Sequence, residues 1–145
     1  MALYEKMIEA IKKEIILRSK NYNDEIETIY YGGGTPSLLK IEDITDINES
    51  IENNYSLSKN LEVTIEANPD DLTISKLKSL STTKINRISL GIQTLNDDAL
   101  KFMKRVHSSK QSIESIENSL LFFNNLSIDL ILSLIHISEP TRPLH

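Results

Sequence analysis

Cysteine is absent from the 145-residue sequence. This chain alone therefore builds no disulfide, thiolate zinc site, cysteine nucleophile or cysteine-bound iron–sulfur cluster. No apolar run reaches the roughly 18 residues of a membrane-spanning helix. The N-terminus has no apolar stretch followed by a small-residue cleavage site, so a cytoplasmic location is expected rather than export. A positive excess is missing too: 16 Lys+Arg against 21 Asp+Glu give a net charge of −5. That argues against a broad nucleic-acid-binding face, though not against a local basic pocket. Tryptophan is also lacking, beside an abundance of Ile, Ser, Asn and Lys. We read this bias as the codon usage of an AT-rich genome.

What is present suffices for one core: apolar residues make up 39% and charged residues 26% of the chain. Tyr4, Met7, Ile8, Ile11 and Ile15 recur at helical spacing and predict an amphipathic helix over 2–19. Residues 26–31 read as a strand, stopped by Gly32-Gly33-Gly34-Thr35-Pro36. Ile41, Ile44, Ile47 and Ile51 define a second helix, 61–66 a second strand and 73–80 a short helix. A third strand is expected over 85–92 and a helix from Asn96, a natural N-cap, to Met103. Another helix follows over 109–123, then a strand over 126–131. The order α-β-α-β-α-β-α-α-β predicts an α/β fold: a parallel sheet of about four strands with flanking helices, built from right-handed βαβ units.

Parallel α/β folds collect functional groups beyond the carboxyl ends of their strands. Here those ends carry Gly32-Gly33-Gly34-Thr35, Glu66, Gln93 and Asp129. The triple glycine permits close backbone approach to a ligand and positive φ. It lacks the Lys of a phosphate-binding P-loop and the spacing of a dinucleotide fingerprint. Ligand contact and a tight strand-to-helix turn stiffened by Pro36 are equally compatible with it. Glu66 suits an amine or hydroxyl, or else is a surface carboxylate or a cap for the helix at Thr73. Gln93 suits an amide contact or a loop-stabilising bond. Asp129 sits in an apolar run, which calls for a partner or a polar site. Arg105 can grip a carboxylate with two donors, or pair with a surface acid. His107 fits a hydrogen-bonding loop residue better than a metal ligand, and no metal-binding set emerges.

Five blocks of the chain carry a family resemblance. They are Tyr30-Tyr31-Gly32-Gly33-Gly34-Thr35-Pro36-Ser37-Leu38-Leu39, Thr64-Ile65-Glu66-Ala67-Asn68-Pro69-Asp70-Asp71-Leu72, Asn86-Arg87-Ile88-Ser89-Leu90-Gly91-Ile92-Gln93-Thr94, Lys104-Arg105-Val106-His107-Ser108 and Ile128-Asp129-Leu130-Ile131. In order and spacing they resemble the oxygen-independent coproporphyrinogen III oxidase-like radical S-adenosylmethionine family. The Arg-x-His-Ser and Glu-Ala-Asn-Pro wording resembles its HemW-type haem chaperone branch. The resemblance implies an incomplete piece of a (β/α)6 partial TIM barrel. It implies S-adenosylmethionine at the rim, with Gly32, Gly33, Gly34 and Thr35 meeting the methionine amino group and Glu66, Gln93, Arg105 and Asp129 making further contacts. Such a family also carries a [4Fe–4S] cluster on a three-cysteine loop and acts in haem biosynthesis or in delivery of haem to receiving proteins. No such loop is in this sequence, so the resemblance reads it as an internal fragment, catalytically inactive and prone to aggregate at uncovered strand edges.

Residues 1–131 would form the partial core. Leu132 to His145 lack periodicity, and the run from Leu132 to Arg142 resembles the translation of a transposon-type sequencing-library adapter. We expect 132–145 to be a non-native or disordered tail. Two other readings stand beside this one. A haem-binding or small-molecule-binding module without turnover would need His107 or a tyrosine as axial ligand. A non-radical TIM-barrel-like enzyme would need a Schiff-base lysine at a strand end, and none is identifiable.

Overall fold

The computed structural model describes residues 3–131. The adapter-like run and the rest of the expected tail lie outside them. Nine helices and strands follow in the expected order: α1 (Leu3–Ser19), β1 (Ile26–Tyr31), α2 (Ile41–Glu52), β2 (Leu57–Ala67), α3 (Ile74–Leu80), β3 (Arg87–Gln93), α4 (Asp97–Phe102), α5 (Ser109–Leu120) and β4 (Asn125–Leu130). The strands pair in parallel in the order β1-β2-β3-β4. Two short 3-10 turns that periodicity did not reveal, Pro36–Leu38 and Pro69–Asp71, begin at prolines just beyond the ends of β1 and β2.

Local chemistry explains the helix starts. Asn96 Oδ1 accepts from the Ala99 amide at 2.9 Å and Thr73 Oγ1 from the Lys76 amide at 3.2 Å. Thr73 thus caps α3 itself, and Glu66 is not its cap. Ser108 and Gln111 form a reciprocal capping box on α5.

The two faces of the sheet differ in chemistry because side chains alternate along a strand. One face presents Val63, Ile65 and Ala67 of β2 and Ile88, Leu90 and Ile92 of β3, all buried. They share a core with Ile44 and Ile47 of α2, Leu77 and Leu80 of α3, and Phe123. Each fully buried Val, Ile, Leu or Phe side chain contributes about 1.5–3 kcal/mol. The opposite face is polar: Thr64, Glu66, Arg87, Ser89, Asn125, Ser127 and Asp129 alternate with the core residues.

Several boundaries and faces depart from the expectation. β2 begins at Leu57, four residues early, with an irregular register against β1 between Ile26 and Thr28. α5 stops at Leu120, and it buries Ser112, Ser115 and Ser119 while Ile113 is 47% exposed. On α1 only Ile8 is buried; Met7 and Ile11 remain open beside β1, an edge strand among the described residues.

Candidate functional site

The carboxyl ends of β1, β2, β3 and β4 meet at one rim. A cavity of about 240 Å³ there is lined by Gly34, Thr35, Glu66, Gly91, Gln93 and Asp129, with Pro36, Ala67, Asn68 and Ser89 completing the wall. Ligand pockets for drug-sized molecules begin near about 300 Å³, so this space fits part of such a molecule.

Glu66 is the most constrained acid at the rim. Its Oε2 accepts the Gly33 amide at 3.1 Å and its Oε1 accepts the Tyr30 hydroxyl at 2.9 Å. The hydrogen bond to Glu66 is the main cause that holds the Tyr30 pKa above the ordinary phenol value. Gly33 and Gly34 have φ of +83° and +65°, a region that strongly favours glycine. Gly32 serves space instead. A Cβ there would lie 2.7 Å from Tyr30 Cε1 and 3.3 Å from Glu66 Oε1. Gly33 and Gly34 thus make the tight turn, and Gly32 leaves room for the Tyr30 ring and the Glu66 carboxylate.

Asp129 does have a partner: Ser89 Oγ donates to its carboxylate at 3.2 Å. Gln93 sits at a register shift between β3 and β4, with φ of +68°. Its carbonyl accepts the Ile131 amide at 2.9 Å. The amide side chain stands beside Gly91, where a Cβ would come 3.0 Å from its Nε2.

Arg105 stands behind this wall. Its guanidinium donates to Asn68 Oδ1 at 3.2 Å, and it makes no ion pair among the described residues. Of the two alternatives for Arg105, pairing with a surface acid is not seen among the described residues; its guanidinium instead meets a cavity-lining amide. His107 is buried, with Nδ1 3.3 Å from Asp70 Oδ1 and Nε2 3.5 Å from the Ile92 carbonyl. It anchors the loop that carries Arg105. No group of three His, Cys, Asp or Glu suited to a metal ion occurs among the described residues, and no described helix is long and apolar enough to cross a membrane.

Sequence reasoning passed over Tyr30, Asn68, Ser89 and Gly91. All four lie inside the blocks that carry the resemblance. Tyr30 and Ser89 also show the inward parity, one and four residues before the ends of β1 and β3, which was the available signal.

The family model of the radical SAM superfamily matches residues 2–139. The chain is 41% identical over 112 residues to the heme chaperone HemW of Buchnera aphidicola subsp. Acyrthosiphon pisum, covering 77% of this chain and 30% of that protein. It is 38% identical over 130 residues to the heme chaperone HemW of Bacillus subtilis, covering 88% and 34% respectively. Its fold matches the coproporphyrinogen III oxidase HemN of Escherichia coli, described as a radical SAM enzyme, with a TM-score of 0.77 at 23% identity, over 87% of this chain and 30% of that one. The chain spans about a third of the length of the curated relatives it matches.

Proposed function

The chain belongs to the radical SAM superfamily, and we propose that its rim cavity is the part of a haem chaperone-like or coproporphyrinogen oxidase-like protein that receives S-adenosylmethionine. The observation that carries this reading is the doubly held Glu66 carboxylate, set beside the glycine loop in a cavity that also contains Asp129.

The donor set fits that ligand. S-adenosylmethionine presents a sulfonium, an ammonium and ribose hydroxyls, and a rim with two carboxylates attracts cations and accepts hydrogen bonds. Each Glu66 oxygen has one protein donor, which leaves acceptor capacity on both. Gly32 and Gly91 keep the walls clear where a Cβ would crowd Tyr30 or Gln93. Gln93 contributes an amide that both donates and accepts. Arg105 supports Asn68 and sets one wall. Bound there, the cofactor would supply a sulfonium S–C bond, whose cleavage on one-electron reduction yields a carbon radical. A cysteine-held cluster finds no ligands in this chain.

For the whole protein, the two HemW relatives support a role in carrying haem, with oxidase-like action on a haem precursor as the other branch of the family. His107 is 3% exposed and engaged with Asp70, so it is not offered to a haem iron.

Titration of the isotope-labelled chain with S-adenosylmethionine tests the cofactor reading by NMR. Binding near the millimolar range, about −4 kcal/mol, is expected, with shifts confined to Gly33, Gly34, Glu66, Gln93 and Asp129. Saturating ligand that leaves these signals unmoved overturns it.

A further inference from the structure

Tyr30 belongs to none of the cofactor contacts that the family resemblance implies, yet it makes the shorter of the two bonds to Glu66. Its position explains how. Tyr31 pairs with Ile65 across β1 and β2, and Tyr30 pairs with Thr64. Glu66 is therefore the diagonal neighbour of Tyr30 on the same face, a separation of about 7–8 Å that an aromatic side chain spans. The ring lies over Gly32, so closely that a Cβ there would meet its edge at 2.7 Å. Backbone on one side and carboxylate on the other confine the ring to this orientation, although Tyr30 is 57% exposed.

Glu66 without Tyr30 would keep one tether, the Gly33 amide. A glutamate has three side-chain torsions, and one bond does not fix them. Two bonds to different elements do.

We propose that Tyr30 is a positioning residue: its hydroxyl clamps the Glu66 carboxylate so that the glycine-loop amide and a cationic ligand group meet one fixed acceptor. This rests on the reading of the rim as a cofactor site. Tyr30 acts through Glu66 and touches no ligand itself. The neutral phenol is the required donor, and its raised pKa keeps it protonated through the physiological range.

The test uses the full chain with Tyr30→Phe, Glu66→Ala and the double variant. Without ligand, Tyr30→Phe is expected to shift the Gly33 amide resonance and speed its hydrogen exchange, while the melting temperature stays nearly constant. With S-adenosylmethionine, Tyr30→Phe is expected to weaken binding about fivefold, roughly 1 kcal/mol. The double variant is expected to bind no more weakly than Glu66→Ala, because the clamp has no effect without its carboxylate. Additive losses, or a Gly33 amide unmoved by Tyr30→Phe, overturn the proposal. Glu66→Gln examines the same amide from the other partner and keeps side-chain length. If the unaltered chain binds no S-adenosylmethionine, the cofactor reading falls, and the Gly33 amide alone decides the clamp.

Discussion

Ser37 donates a hydrogen bond to Asp71 Oδ2 at 2.9 Å, joining the turn after β1 to the turn after β2. The same oxygen accepts from Asn68 Nδ2 at 3.3 Å, and Asn68 in turn receives Arg105. One short segment, 68–71, thus ties the glycine loop to the loop that carries Arg105 and His107.

Removal of Asp71 tests that tie. Ser37 is 1% exposed, so Asp71→Ala leaves its hydroxyl buried with no acceptor. A loss of about 1–3 kcal/mol in urea denaturation is expected. A loss below about 0.3 kcal/mol would show that the contact joins nothing that matters for stability.

Gly33→Val probes conformation rather than space. No atom lies within 4 Å of a Cβ built at Gly33, but its φ is +83°. A β-branched residue there is expected to destabilise the loop by about 1–2 kcal/mol and to abolish S-adenosylmethionine binding as the loop relaxes and the Gly33 amide leaves Glu66. Unchanged affinity in an NMR titration would contradict this.

Stability is expected to fall at both ends of the pH scale. Glu62 has a lowered pKa, chiefly because Arg87 donates to it at 2.8 Å, and Asp97 has one through the Ser109 amide. Their folded values lie below the unfolded ones, so their stabilisation is present above the ordinary carboxylate range and is lost as pH falls through the folded values. Tyr31 titrates in the opposite sense. Burial raises its pKa, so its stabilisation is complete below the ordinary phenol value and is lost as pH rises through the folded one. Urea midpoints against pH should show a plateau with two falling limbs. Arg87→Met is expected to shallow the acid limb, and an unaltered limb would remove Glu62 as its source.

Reconstitution of the purified chain with iron and sulfide is expected to give no cluster absorbance near about 400 nm, because no thiolate is present to hold it. A stable four-iron cluster held by this chain would refute that expectation.

The order of helices and strands was legible because the period of apolar residues switches cleanly between helix and strand. The start of β2 was hidden, since Ser58, Lys59 and Asn60 carry no strand signature although backbone pairing extends past them. The buried face of α5 was hidden as well. Apolar periodicity points to its isoleucines, whereas three serines give α5 its closest packing. At the site, Gly33, Glu66, Gln93 and Asp129 were readable as residues at strand ends, and the structure brings them to one rim. The left-handed Gln93 was not readable, because nothing in a glutamine announces positive φ. Tyr30 was overlooked because the glycines beside it dominate the motif, although its alternation with Tyr31 places it on the inward face.

The polar face of the sheet has a consequence for solubility. In a closed barrel the inward side chains are usually branched and apolar and pack in layers, and an open arc of such a barrel would present a greasy wall to water. Here that wall is made of hydroxyls, carboxylates, an amide and a guanidinium, which water wets at no penalty. The sheet therefore needs no cover on this side. Among the described residues, the outward backbone groups of β1 and β4 have no strand partner, and they run along lines rather than over a surface.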